Sequence, residues 1–182
     1  MKRLCIFCGS RTGDDPAFAA MAAAVARSIA GAGYGIVYGG GSVGLMGIVA
    51  DTALACGAEV IGIIPQALAE TEIAHPGLAQ LHIVTTMHER KAMMADLSDA
   101  FIALPGGFGT MDEFCEVVTW RQLAIHDKPI GLLNYRGYYD PLLALFDSMV
   151  GRGFITEQTR RLFVDARRIE ELLHLMFGRP EA

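Results

Sequence analysis

The chain is expected to fold as a doubly wound α/β protein, with one parallel sheet carrying helices on both faces and a single domain spanning residues 1–182. Three observations predict this. Short strand-like segments alternate with helical ones along the sequence, and their connections are short. The strands are apolar throughout rather than at every second residue, as in Ala100–Leu104, which suits strands buried on both faces. The composition is 52% hydrophobic, with a mean hydropathy of +0.35, yet polar or glycine residues interrupt every apolar run short of the roughly 18 residues a membrane span needs. That surplus is assigned to a doubly covered sheet and a subunit interface, and no membrane is expected as a partner.

Arg3–Cys8 reads as the first strand, with Gly9-Ser10-Arg11 as its turn. Asp15-Pro16 opens an alanine-rich helix, Pro being suited to a first turn, and Gly31 and Gly33 end it near Ala32. Gly35–Tyr38 is the second strand, followed by GGGSVGLMG and a helix to about Cys56. Glu59–Ile64 is the third strand, stopped by Pro65, and Gln66 to Gln80 lacks clear periodicity and reads as a loop over the site. Leu81–Thr85 is a fourth strand and Met87–Leu97 a helix. The central strand breaks at Pro105-Gly106-Gly107, and a helix restarts at Thr110. Pro129–Asn134 is a sixth strand, Tyr138–Val150 a helix, Leu162–Val164 a short edge strand and Ile169–Phe177 the last helix. Ligands of such sheets bind at the carboxyl ends of the strands.

A net charge of −5 without a basic tract argues against nucleic acid as a partner. The sequence starts directly into a strand, without the charged start and apolar core of a signal peptide, so a cytoplasmic protein is expected. The four cysteines fit that compartment. Cys5 and Cys8 spell CxxC, but they lie in a strand, where residues three apart point to opposite faces. A redox pair needs a helix N-terminus, and a zinc site needs a second pair, so both are read as buried spectators.

The run from Asp99 to Trp120 carries the chemistry. A strand, a glycine turn and a helix N-terminus make an anion site, because first-turn N–H groups point outward and the dipole favours negative charge there. Glycine lets the backbone approach a phosphate without a Cβ in the way. PGGFGT lacks the Gly-Lys-Ser/Thr ending of a nucleotide-triphosphatase loop. Thr110 can cap the helix or donate to a phosphate oxygen, and the carboxylates Asp112, Glu113 and Glu116 follow just inside. A phosphate cradle with an acid one turn on suits a nucleotide held by its phosphate and attacked at its sugar. Glu113 has a plainer reading as a carboxylate favoured by the helix dipole.

Gly39-x-Gly41-x-x-Gly44 matches the dinucleotide fingerprint, but the ribose-binding acid is missing: Glu59 opens its strand, at the wrong edge of the sheet. The motif reads as a second wall of the same cleft or as glycines for strand–helix packing. Met87-His88-Glu89-Arg90-Lys91 should begin a helix at the ligand edge. Its two adjacent cations oppose the helix dipole, so they mark either an anionic partner or a solvated turn with Glu89. Ala92 stands where a zinc-protease helix has its second His, and no metal is expected. Phe114, Val117, Trp120 and Leu123 form a stripe that reads as core or dimer-facing.

Together, YGGGSVGLMG, MHERKAMM and ALPGGFGTMDE resemble the LONELY GUY (LOG) family, the cytokinin riboside 5′-monophosphate phosphoribohydrolases often labelled lysine decarboxylase-like. The likeness runs from CIFCGSR through TWRQLAIHDKPIGLLN. It implies a Rossmann-like fold, a homodimer, no cofactor, and hydrolysis of the N-glycosidic bond of N6-substituted AMP to free base and ribose 5-phosphate. By position, the family's essential Arg and Glu fall on Arg90 and Glu113. The implied substrate contacts are Glu72, Met87, Arg90, Lys91, Gly106, Gly107, Phe108, Gly109, Thr110, Met111, Asp112, Glu113 and Thr119. Ser10, Gly41 and Ser42 are expected to close the cleft. Phe108 replaces a commoner Tyr or small residue, and Asp112 shortens a usual Glu.

The decarboxylase label requires a Schiff-base lysine. The chain has only Lys2, Lys91 and Lys128, two at strand starts and one in the nucleotide motif. A general AMP nucleosidase remains an alternative within the enzyme class. A non-catalytic nucleotide or molybdenum-cofactor carrier is the alternative outside it, since such carriers look like this family in outline and a fold can serve binding without chemistry.

Overall fold

The computed structural model describes residues 1–69 and 73–178. Among the described residues seven strands form one sheet, and every pairing between them is parallel. In chain order the elements are β1 (Arg3–Phe7), α1 (Pro16–Gly31), β2 (Gly35–Tyr38), α2 (Gly44–Ala55), β3 (Val60–Pro65), α3 (Gln66–Ala69), β4 (Gln80–Val84), α4 (Met87–Asp96) and β5 (Ala100–Ala103). They continue with α5 (Phe108–Gln122), β6 (Ile130–Leu133), a 3₁₀ turn (Tyr135–Gly137), α6 (Asp140–Gly151), α7 (Glu157–Arg160), β7 (Val164–Ala166) and α8 (Ile169–Phe177). The spatial order β4-β3-β2-β1-β5-β6-β7 confirms the doubly wound, Rossmann-like reading.

The order reverses between β1 and β5, which pair from Leu4↔Ala100 to Phe7↔Ala103. Connections leave β1 and β5 toward opposite faces, so a crevice opens at their carboxyl ends. Alternate residues of β1, with Cys8 just after it, feed the two cores. Leu4, Ile6 and Cys8 join α1 and α2 on one face, while Cys5 and Phe7 join Val37, Phe101 and Phe114 on the other. The two motif cysteines are therefore buried on opposite sides of the sheet, as expected, and desolvation pushes both thiols above their ordinary range.

Local chemistry places the boundaries. Asp15 caps α1 by accepting from the Ala17 N–H at 2.8 Å, with Pro16 in the first turn, and Gly33 follows the helix at φ +76°. Glu59 precedes β3 at the amino edge and receives Arg3 Nε at 2.7 Å, so it cannot reach a ribose at the opposite edge.

Several boundaries differ from the sequence reading. α5 starts at Phe108, not Thr110, because Gly107 serves as N-cap through its backbone conformation without a side-chain bond. The segment read as a loop from Gln66 opens with α3, a four-residue helix too short for periodicity to reveal. The last strand lies at Val164–Ala166, and α6 begins two residues late because the 3₁₀ turn occupies the approach. In the α5 stripe Phe114 and Val117 are core and Trp120 packs partly against it, whereas Leu123, the C-cap, is exposed.

Candidate active site

The PGGFGT turn is held from behind. Tyr139 Oη donates to the Leu104 carbonyl at 2.7 Å, Gly9 N–H to the Pro105 carbonyl at 3.2 Å, and Tyr138 Oη to the Gly106 carbonyl at 2.7 Å. Three successive carbonyls are thus engaged by protein donors. The first N–H groups of α5 have no intrahelical acceptor and lie at the mouth of the crevice. Thr110 sits in the first turn, only 3% exposed, and its hydroxyl is buried with no hydrogen-bond partner. Gly106 is obligatory here, because a Cβ on it would collide with the Thr110 side chain and crowd the Gly9 nitrogen.

α4 supplies the second wall. Its N-terminus is a capping box: Thr86 Oγ1 accepts from Glu89 N–H at 3.1 Å, and the Glu89 carboxylate accepts from Thr86 N–H at 3.3 Å. The two cations after it are not solvated. Arg90 is 5% exposed and runs under the sheet edge, donating from Nε to the Ile63 carbonyl at 3.2 Å and from Nη2 to the Gly39 carbonyl at 2.9 Å. Lys91 pairs with Asp112 at 2.9 Å and Glu116 at 3.3 Å.

These walls enclose a cleft of about 250 Å³. Among its lining residues are Ser10, Arg90, Gly107, Thr110, Asp112 and Glu113, and Cys8, Met46, Leu68 and Met87 are its apolar members. A second cavity of about 480 Å³ meets it at Ser10, Gly107 and Phe108 and extends between Arg11, Phe18, Leu45 and Tyr138. Phe108 stands on the shared rim, 97% exposed.

The structure thus brings together Ser10, Met87, Arg90, Gly107, Phe108, Gly109, Thr110, Asp112 and Glu113 in one cleft, with Gly106 in the adjoining cavity. Others lie apart from that lining. Gly41 is buried and bridges antiparallel to Ala74, and the Ser42 N–H donates to the Ile73 carbonyl at 2.9 Å, so both support the strap beside the cleft. Met111 packs toward the core under α5. Thr119 is exposed two turns further on, with its hydroxyl on the Cys115 carbonyl at 2.7 Å. Glu72 lies outside the described residues.

The Gly39–Gly44 motif has a role other than dinucleotide binding. Gly39 leaves room for the Arg90 guanidinium, which a Cβ would overlap. Gly44, at φ +61°, lets the start of α2 press on the backbone of Ser10 and Arg11, and Leu45 N–H donates to the Gly9 carbonyl at 3.0 Å. The sequence reading did not single out Met46, Leu68, Tyr138 or Tyr139 as site residues. The tyrosine pair, following the sixth strand at its carboxyl edge, was the available signal.

Three kinds of relationship bear on this arrangement. A family model described as "Possible lysine decarboxylase" matches residues 46–176. The chain is 53% identical over 174 residues to "Probable cytokinin riboside 5′-monophosphate phosphoribohydrolase LOGL1" of Oryza sativa subsp. japonica, covering 96% of this chain and 78% of that one. It is 46% identical over 175 residues to the cytokinin riboside 5′-monophosphate phosphoribohydrolase LOG2 of Arabidopsis thaliana, covering 96% and 82%. Among solved structures, the molybdenum cofactor carrier protein of Chlamydomonas reinhardtii superposes with a TM-score of 0.71 at 19% identity, covering 93% of this chain and 91% of that chain. The molybdenum cofactor binding protein of Rippkaea orientalis gives 0.71 at 19%, covering 96% and 95%. At those identities the carriers share the fold, whereas the phosphoribohydrolases share sequence along nearly the whole chain, including both walls of the cleft. The chain therefore belongs to the LOG family of cytokinin riboside 5′-monophosphate phosphoribohydrolases, and "Possible lysine decarboxylase" is the label of its family model.

Proposed function

We propose that this protein hydrolyses the N-glycosidic bond of N6-substituted AMP, releasing the free base and ribose 5-phosphate. The observation that carries the reading is the opening of the α5 N-terminus, with the orphaned Thr110 hydroxyl, into the cleft that Arg90 and Glu113 line. The phosphate is held by Gly107–Thr110 N–H groups, the Thr110 hydroxyl and Ser10, which fixes the ribose over Glu113. As the C1′–N9 bond breaks, its electron pair leaves with the base, which takes up a proton, and water adds to C1′. Positive charge grows on the sugar at the transition state. Glu113 stabilises that charge or takes the proton of the attacking water, as carboxylates do in glycoside hydrolysis. Arg90 holds the phosphate or ribose hydroxyls and orients Glu113.

Cys8, Met46, Leu68 and Met87 support an apolar N6 group on the base. A lysine decarboxylase is excluded by the lysines themselves. Lys91 is ion-paired with two carboxylates, Lys128 Nζ donates to the Ala95 carbonyl at 2.8 Å, and Lys2 lies over Phe177. The functional unit is one domain acting as a homodimer, a reading supported by Leu123 and Ile125, each 64% exposed. A cytoplasmic location is supported by four free cysteines. Among the described residues no helix is long and apolar enough to cross a membrane.

The test is base release from AMP and isopentenyl-AMP, followed by chromatography, with Glu113→Gln alongside. Release from isopentenyl-AMP far above AMP, reduced about 10²–10⁴-fold in the variant, is expected. Equal release from both nucleotides would make the protein a general AMP nucleosidase. Binding without release would make it a carrier.

A further inference from the structure

The larger cavity beside the cleft has no part in the proposed mechanism. It holds about 480 Å³ against about 250 Å³ for the cleft, and the two meet along Ser10, Gly107 and Phe108. Its walls are aromatic and fixed. Phe18 on α1 meets Tyr138 edge to face, with ring centroids 5.9 Å apart and planes at 79°. Tyr138 is tied through its hydroxyl to the Gly106 carbonyl. Arg136, two residues earlier, pairs with Asp15, the cap of α1. The helix that carries Phe18 and the turn that leads to Tyr138 are therefore joined outside the rings as well. Gly13, at φ +80°, leaves room for the Phe18 ring, on which a Cβ there would press. Among the described lining residues Arg11 is the one charged group, and no carboxylate is present.

These walls select a ligand. An apolar cavity of this size with a few polar groups is a small-molecule site. Facing rings suit a flat aromatic body. A guanidinium suits ring nitrogens that accept hydrogen bonds, and it can also stack on the ring face. Without a carboxylate the cavity does not favour a cation, and a second phosphate would meet mostly apolar surface. The N6-substituted adenine that the hydrolysis releases has the matching character: flat, uncharged, rich in acceptors and carrying an apolar arm. We propose that this cavity is a second site that takes the free N6-substituted adenine while a nucleotide stays in the cleft. The identity of the base rests on the phosphoribohydrolase reading. Gly106 and Gly107 of the phosphate cradle border the cavity, so its occupant slows turnover without displacing the substrate.

The experiment titrates isopentenyladenine by calorimetry into AMP-saturated Glu113→Gln protein, alone and with Phe18→Leu or Arg11→Gln added. Phe18→Leu removes the ring but keeps an apolar side chain, and Arg11 is exposed, so its replacement spares the fold; thermal melts check both. The base should bind the AMP-saturated protein one to one. Each added substitution should weaken it about 5–20-fold, on the scale of one ring contact or one charged hydrogen bond, with AMP affinity within about twofold. In wild-type kinetics isopentenyladenine should lower kcat for isopentenyl-AMP and leave KM unchanged, and Phe18→Leu should relieve that inhibition. Competitive inhibition, or no binding of the base once AMP is present, would overturn the proposal. Base affinity untouched by both substitutions would overturn it too. A wild-type protein that holds AMP and isopentenyladenine together but cleaves no nucleotide would uphold the second site and overturn the functional reading instead.

Discussion

Gly39 and Arg90 are fitted to one another: the Gly39 carbonyl accepts from Arg90 Nη2 at 2.9 Å, and the Cα hydrogen of the glycine occupies space that any Cβ would take from the same guanidinium. A buried arginine needs acceptors for its donors and room for its planar head, and β2 supplies both as it ends. Gly39→Ala should therefore push Arg90 off its seat. We expect kcat/KM for base release to fall about 10²-fold, with a cost in stability of about 1–3 kcal/mol from overpacking. Steady-state kinetics with urea denaturation would check this, and an unaltered kcat/KM would show that the fit does not matter for turnover.

Thr110 yields a prediction in which stability and affinity part. Its hydroxyl is buried without a partner in the free protein, which costs free energy, and a phosphate oxygen would relieve that cost. Thr110→Val keeps the shape and removes the hydroxyl. The unliganded variant should melt at the wild-type temperature or slightly above it. AMP affinity should drop about 10–100-fold, the worth of a hydrogen bond to a charged group. Calorimetric titration of AMP and thermal melts would show both effects, and unchanged affinity would remove Thr110 from the phosphate site.

Legibility in the sequence followed the range of the interactions. The apolar strand, the Pro-Gly-Gly turn and the carboxylates of α5 are contiguous, so strand, cradle and acid could be read together. The partners of Arg90 are not: its two carbonyl acceptors lie 27 and 51 residues away, and only the sheet brings them together. Without them, the sequence leaves Arg90 open to a second reading as a solvated cation. The sequence leaves Thr110 as either a cap or a phosphate donor, and the cap role falls away because Gly107 starts the helix with backbone conformation alone. Leu68 lies in a single helical turn, below what periodicity detects.

His126 predicts a pH effect on stability. Burial holds its imidazole below the ordinary value of 6.5, against the opposing pull of the Val117 carbonyl and with Lys128 adding to the lowering. Its Nε2 lies 3.0 Å from that carbonyl and its Nδ1 accepts from Lys128 N–H at 3.2 Å, a pattern only the neutral ring can satisfy. Between the folded and unfolded pKa values the unfolded chain binds more protons, so stability rises with pH there. The contribution is complete above about pH 6.5 and is lost as pH falls toward the folded value. His126→Gln should flatten that slope, measurable as denaturation midpoints across about pH 5–8. An unchanged slope would assign the effect to other groups.

Leu68 predicts a change in selectivity. It lies in α3, half-buried, and lines the cleft together with Met46 and Met87. An N6 alkyl group would pack against these apolar side chains, whereas unsubstituted AMP has nothing to place there. Met46 is 6% exposed and belongs to the core, so its truncation would disturb folding as well. Leu68→Ala removes contact area at less structural cost. The isopentenyl-AMP to AMP ratio of kcat/KM should fall about tenfold, within the range for lost apolar contacts, through a higher KM for the substituted nucleotide. AMP turnover should be nearly unchanged. A preserved ratio would move the N6 group to the larger cavity beside Phe18 and Tyr138, where Phe18→Ala is the next variant to assay.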